Sequence, residues 1–188
     1  MLKTKIIASS ISNLTDARYF AAWGVEAIGF DLQEVSVMQV NALKDWVSGP
    51  KIIGQFSSFQ EFESIKDVAD NLMLDVIQLD ALAPKEWSFS KPVYREVILE
   101  NGMTGDFENS IIKSENPNFS IDDHLDVLKE FCVQSNCYLD LNLNVGDLRK
   151  ILDTVHPAGI VLRGGAEEKV GLKSFDELDE IMEFLDDE

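Results

Sequence analysis

Short runs rich in Ile, Val and Leu alternate along the chain with longer stretches whose apolar residues recur every three to four positions. The short runs suit strands of a parallel sheet that is buried on both faces. They predict strands at Lys5–Ala8, Ala27–Phe30, Lys51–Phe56, Val76–Leu79, Pro92–Ile98, Ser110–Lys113, Cys137–Leu143 and Gly159–Leu162. The stretches between them predict helices at Asn13–Trp23, Val37–Val47, Phe59–Leu72, Ile121–Cys132, Val145–Val155 and Phe175–Leu185. Local signals support these bounds. An Asn or Thr start and Gly24 as a stop frame the first helix. Phe62, Ile65, Ala69 and Leu72 form a helix-spaced stripe in the third. Ser174 followed by Glu177 has the pattern of a capping box for the last.

Strand and helix alternate, so the expected architecture is a parallel sheet with helices outside it. Eight strands point to an α/β fold of the (β/α)8 barrel type, as one domain over residues 1–188, rather than an open doubly wound sheet. The stretch from Ala81 to Glu108 carries Pro84, Pro92, Gly102 and Gly105 and no long helical pattern. The helices after strands four and five are therefore expected to be short or missing. A chain of 188 residues gives each unit roughly 23 residues, fewer than this barrel usually has, so a compact version is expected.

Charge narrows the partners. The chain has 16 Lys plus Arg against 34 Asp plus Glu, a formal net charge of −18. Phosphate-backbone affinity comes mainly from Lys and Arg, so nucleic acid is not an expected partner. Anionic membrane surfaces are disfavoured for the same reason. The start of the chain lacks the apolar run of a signal peptide, and no run approaches the ~20 residues of a membrane span. A cytoplasmic protein, monomeric or homodimeric, is the expectation. Cys132 and Cys137 have no metal-ligand spacing and are expected as reduced thiols, and no metal or other cofactor is implied. His124 and His156 are expected at a surface or a helix end. The acidic last segment, Asp176 to Glu188, is expected to be an amphipathic helix with a solvated face.

Three stretches resemble the phosphoribosylanthranilate isomerase family of tryptophan biosynthesis. The first is Ile11-Ser-Asn-Leu-Thr-Asp-Ala17, followed by Trp23-Gly-Val-Glu-Ala-Ile-Gly-Phe30. The second is Asp75-Val-Ile-Gln-Leu79. The third runs from Leu139 to Ser174 and includes Leu143-Asn144 with Leu148, Pro157-Ala-Gly-Ile160, and Gly165-Ala-Glu167 through Gly171-Leu-Lys-Ser174. The resemblance covers residues 5–80 and 137–188. It implies the same barrel and an Amadori rearrangement of an aminoaldose phosphate to an aminoketose phosphate, which needs a general acid and a general base.

Carried over position by position, the resemblance implies a changed site. Ser9 stands where the family places its Cys base, and a serine hydroxyl is a far poorer base unless a neighbour activates it. Lys113 stands where the family places its Asp acid. The family's phosphate-binding positions fall on Asn142, Arg163, Gly164 and Gly165. Asp80 replaces a His, and Asp31-Leu-Gln-Glu34 stands in place of a basic loop. The strand-end residues Ser9, Asp31, Gln78, Asp80, Arg95, Lys113, Asp140, Asn142 and Arg163 form the expected pocket, since ligand sites of this fold lie on that face. Arg95, Asn142, Asp80, Arg163, Gly164 and Gly165 are the expected substrate or phosphate contacts.

The leading expectation is a protein of this family with lost or strongly altered isomerase activity, holding a small phosphorylated metabolite or a protein partner. The first alternative is an isomerase working with a modified acid–base pair. Schiff-base chemistry at Lys113, and an acidic interaction module on a barrel scaffold, are the others.

Overall fold

The computed structural model describes residues 1–102, 108–169 and 172–186. Eight parallel strands close into a barrel in chain order. They are β1 (Lys5–Ser9), β2 (Ala27–Asp31), β3 (Lys51–Phe56), β4 (Val76–Leu79), β5 (Val93–Ile98), β6 (Asn109–Lys113), β7 (Asn136–Asp140) and β8 (Gly159–Arg163). Closure is made by β8 on β1, in a register running from Lys5 opposite Gly159 to Ser9 opposite Arg163. Every expected strand is present, with ends shifted by at most a few residues. The largest shift is in β7, which stops at Asp140 rather than Leu143.

The helices are α1 (Leu14–Ala22), α2 (Val37–Lys44), α3 (Phe62–Asn71), α4 (Leu125–Gln134), α5 (Val145–Thr154) and α6 (Asp176–Leu185). Asn13 caps α1 by accepting a hydrogen bond from the Asp16 N–H, and Gly24 takes φ +68° just past its end. The expected capping box at Ser174 and Glu177 does not form. Phe175 occupies the cap position, and the Ser174 hydroxyl accepts from the Asp176 N–H instead. Reciprocal capping boxes are found at Ser36–Gln39 and Asn144–Asp147. Between β8 and α6 lies an antiparallel hairpin, β9 (Ala166–Lys169) and β10 (Leu172–Ser174), that the hydrophobic pattern did not announce.

No α-helix follows β4, and among the described residues only a single 3-10 turn, Leu99–Asn101, follows β5. Both absences match the Pro- and Gly-rich sequence there. A loop carrying Trp87 and Phe89 covers this flank, with Phe89 stacked on Phe62 of α3 at 4.6 Å between ring centres.

Side-chain alternation divides the barrel into an inside and an outside. One residue from each strand builds an apolar layer within it: Ile7, Ala27, Ile53, Val76, Tyr94, Ile111, Tyr138 and Val161. Burial and a hydrogen bond with Tyr94 push the Tyr138 phenol well above its ordinary pKa, so this layer stays uncharged. Outside, the sheet packs on its helices through two apolar clusters. One joins β1–β4 and β8 to α1, α2, α3 and α6 and includes Leu148 of α5; the other joins β5–β7 to α4 and to Ile151 of α5, and Leu143 packs on both.

Arg95 lies in the seam between these clusters. Val93 belongs to one and Val97 to the other. Arg95 is buried, and its guanidinium donates to the carbonyls of Ala83, Lys85 and Trp87 at 3.4, 3.3 and 2.8 Å. Arg95, expected among the ligand contacts, also lines a cavity of about 440 Å³ with Asp80 and Glu96. It faces out of the barrel and holds the loop that stands in for the missing helix.

Two predictions follow from this flank. Arg95→Met keeps the apolar stem but removes the donors to three loop carbonyls, and should cost about 2–4 kcal/mol in urea unfolding. A loss below ~0.5 kcal/mol would mean the guanidinium does not hold the loop. Glu100 accepts from the Ser114 hydroxyl and from the N–H groups of Glu115 and Asn116, which holds its carboxyl down at about 2. A depressed carboxylate contributes stability above its unfolded pKa of ~4.3 and loses it as pH falls through the folded value. The Glu115 and Asn116 amide NMR signals should therefore titrate with a midpoint near 2, and a midpoint near 4.5 would refute the tether.

Candidate functional site

The inward residue two positions beyond the apolar layer on each strand forms a second layer at the C-terminal strand ends. Its members are Ser9, Gly29, Gln55, Gln78, Glu96, Lys113, Asp140 and Arg163. Apart from Gly29 all are polar, and hydrogen bonds and ion pairs run through them from strand to strand.

The chain of contacts starts at β1. The Ser10 N–H donates to Gln55 Oε1 at 2.9 Å, and Gln55 Nε2 donates to Ser9 Oγ at 2.9 Å and to Gln78 Oε1 at 3.0 Å. Gln78 Nε2 donates to Glu96 Oε1 at 2.7 Å. The Lys113 ammonium reaches the same Glu96 oxygen at 2.6 Å and lies 3.7 Å from Asp140. Arg163 closes the series with a bidentate pair to Asp140 at 2.6 and 2.8 Å. Gly29 makes room for it: a Cβ there would sit 3.2 Å from the Gln55 amide carbon.

This geometry decides what each expected residue can do. Ser9 is buried, and among the described residues it contacts only Gln55 and Ser10 through its hydroxyl. Among the described residues no imidazole or carboxylate hydrogen-bonds to that hydroxyl. Lys113 is an ion-paired cation between two carboxylates. Arg163 is more than half exposed, yet both its terminal nitrogens are committed to the Asp140 carboxylate, whose side chain is 2% exposed. The layer therefore holds alternating charges, Glu96, Lys113, Asp140 and Arg163, with no net excess.

The next positions up the strands serve the loops. Asp80 accepts from the Ser58 N–H and hydroxyl and from the Leu82 N–H, which ties two loops together. Asp31 accepts from the Gln33 N–H in its own turn. Asn142 is exposed and lines a cavity of about 700 Å³ together with Arg163, Gly164 and Gly165. Asp176 and Glu177, from the first turn of α6, line it too. Those carboxylates already meet the positive end of the α6 dipole and would repel an incoming phosphate. Gly164 lies against the buried Asp16, whose carboxylate leaves no room for a Cβ, as the two would be 2.1 Å apart. This packing locks the loop after β8 to the start of α1.

Gln55 and Glu96 were not among the expected site residues. A Gln inside the apolar run Lys51–Phe56 was a usable signal, since a buried polar side chain needs a partner. For β5 the pattern offered none. Val93, Arg95 and Val97 alternate with Tyr94, Glu96 and Ile98, and either set could face inward. Both histidines lie away from the site, as expected. His124 precedes α4 and contacts the Ser120 carbonyl, and His156 sits in the turn after α5. Cys137 is buried beside Cys132, and that contact together with burial drives its thiol pKa far up, so it is not a nucleophile. No metal-ligating cluster exists among the described residues, and no described helix is long and apolar enough to cross a membrane.

The fold and this layer define the molecule as a (β/α)8 barrel with a polar floor on the face where such barrels carry their sites. Solved structures share the barrel fold. Phosphoribosylanthranilate isomerase from Thermotoga maritima superposes with a TM-score of 0.80 at 19% identity, covering 97% of this chain and 98% of that one. A phosphoribosylanthranilate isomerase in complex with reduced 1-(o-carboxyphenylamino)-1-deoxyribulose 5-phosphate gives 0.78 at 20% identity, with the same coverage. A 3-hexulose-6-phosphate synthase gives 0.71 at 11% identity, covering 97% of this chain and 100% of that one. At these identities the likeness is one of fold, and barrels of different activity share it. No family model matches the chain, and no curated protein matches it by sequence.

The ion pairs at the layer yield a further prediction. Arg163→Ala leaves the buried Asp140 carboxylate short of its bidentate partner and should destabilise by about 1–3 kcal/mol. Adding Asp140→Asn removes the stranded charge and should recover part of that loss, giving a coupling of roughly 1–2 kcal/mol in a double-mutant cycle. Strict additivity would show that the pair is not coupled in solution.

Proposed function

We propose that this chain is a divergent relative of phosphoribosylanthranilate isomerase whose strand-end site no longer performs the family's isomerisation. The observation that carries this reading is the polar layer, whose charged side chains are paired with one another. An Amadori rearrangement needs one group ready to donate a proton and another ready to accept one. Ser9, at the position of the family's base, receives a hydrogen bond from Gln55 and has no activator. Lys113, at the position of the family's acid, is held between Glu96 and Asp140. Arg163, the cation nearest the implied phosphate loop, is engaged by Asp140. Asp176 and Glu177 face the cavity where the phosphate would enter.

A second reading rests on Glu96. Both of its hydrogen-bond donors approach Oε1, and among the described residues Oε2 has no partner. Glu96 also borders a cavity of about 440 Å³ shared with Asp80 and Lys85. A carboxylate one strand away from the family's acid position is chemically able to take over its role, giving an isomerase with a modified acid–base pair.

Purified protein incubated with phosphoribosylanthranilate separates the two. The first reading expects no turnover above the uncatalysed rate, and no change in Ser9→Ala. Turnover that disappears in Glu96→Gln or Ser9→Ala would overturn it in favour of the second.

A further inference from the structure

The opposite end of the barrel carries a different electrostatic arrangement. A cavity of about 480 Å³ opens at the N-terminal strand ends, walled by Lys3, Arg149, Leu152, Asp153, His156 and Phe184. Lys3 Nζ lies 5.1 Å from the centre of the Phe184 ring, and the Arg149 guanidinium carbon lies 5.5 Å from it. The two cations are therefore within roughly a Debye length of each other.

Carboxylates outnumber Lys and Arg by 34 to 16, yet neither Lys3 nor Arg149 has a carboxylate within 4.0 Å among the described residues, a condition they share with Lys5, Arg18, Lys44, Lys91 and Lys129. What sets the pair apart is that both border one cavity and the same aromatic ring. A structural role accounts for part of this. Lys3 donates to the Phe184 carbonyl at 2.6 Å, near the C-terminal end of α6, where a cation complements the dipole. It does not account for Arg149, which makes no hydrogen bond among the described residues and keeps five donors free. The exposed His156 imidazole is presented to the same cavity by a backbone at φ +53°.

We infer that this cavity is a binding site for a phosphate monoester. Arg149 and Lys3 supply charge-assisted donors to the phosphate oxygens, and the Arg fork matches them bidentately. His156 and the Thr4 hydroxyl lie on the same wall as further donors. Phe184, Leu152 and Pro157 provide an apolar surface for the organic part of the ester. Among the described residues Asp153 is the one carboxylate lining the cavity, whereas Asp176 and Glu177 both line the cavity beside β8. An anion is thus better received here than at the C-terminal face, and the assignment is independent of the chemistry proposed for that face.

An NMR titration at fixed ionic strength tests the inference, using inorganic phosphate and phenyl phosphate as probes. Saturable shifts are expected at Thr4, Arg149 and His156, with phenyl phosphate binding about tenfold more tightly through its buried ring. Arg149→Gln, at an exposed helix position, should weaken binding at least ~tenfold without altering the melting temperature. Arg163→Ala, at the other end, should leave binding unchanged. Shifts that do not saturate, equal affinity for the two probes, insensitivity to Arg149→Gln, or loss of binding in Arg163→Ala would each overturn it.

Discussion

A polar layer seated directly on an apolar one is the constraint on which the rest of this barrel depends. The eight inward residues of the lower layer exclude water from the barrel interior. Their neighbours two positions on must then satisfy one another, because desolvated polar groups without partners are costly. The solution runs strand by strand. Two glutamine amides, each donating towards the next strand, deliver their hydrogen bonds to Glu96, and two cations alternate with two carboxylates from there to Arg163. Such a network ties strands together only while every member is present. It also fixes function, since groups that neutralise each other are not free to bind or transfer a proton.

Charge is distributed accordingly. At the C-terminal face the cations of the layer are matched by its carboxylates, and further acids stand around it in Asp31, Asp80, Asp176 and Glu177. At the N-terminal face Lys3 and Arg149 have no carboxylate within 4.0 Å among the described residues, and Asp153 lines their cavity. Carboxylates thus stand where a sugar phosphate would be expected to enter a barrel of this kind. The likeness to phosphoribosylanthranilate isomerase structures extends over almost the whole chain and is a likeness of fold.

The barrel itself was legible because its strands announce themselves. Buried parallel strands such as Lys51–Phe56 and Val76–Leu79 are short, mostly apolar runs, and they came out with their observed bounds. The missing helices were legible from Pro84, Pro92 and Gly102. The site was legible only in part. Ser9, Gln78, Lys113, Asp140 and Arg163 stand at strand ends where a polar residue interrupts an apolar run. Glu96 and Arg95 are adjacent, and alternation alone does not say which of them faces inward; that depends on barrel closure and on the loop carbonyls that await a guanidinium. The hairpin at Ala166–Ser174 escaped because its strands are too short to set up a period.

The division of the outer core into two clusters, with Arg95 at their junction, bears on how the molecule comes apart. A (β/α)8 barrel with an unbroken helical jacket has one continuous apolar shell around its sheet. Here the shell is interrupted where β5 is covered by a loop, and α5 is the helix that spans both halves, with Leu148 in one cluster and Ile151 in the other. Cooperative units in native proteins follow the continuity of their packing. Loosening α5 would therefore loosen both clusters at once, including the strands that carry Glu96, Lys113 and Asp140, which couples the packing of one outer helix to the electrostatics of the strand-end layer.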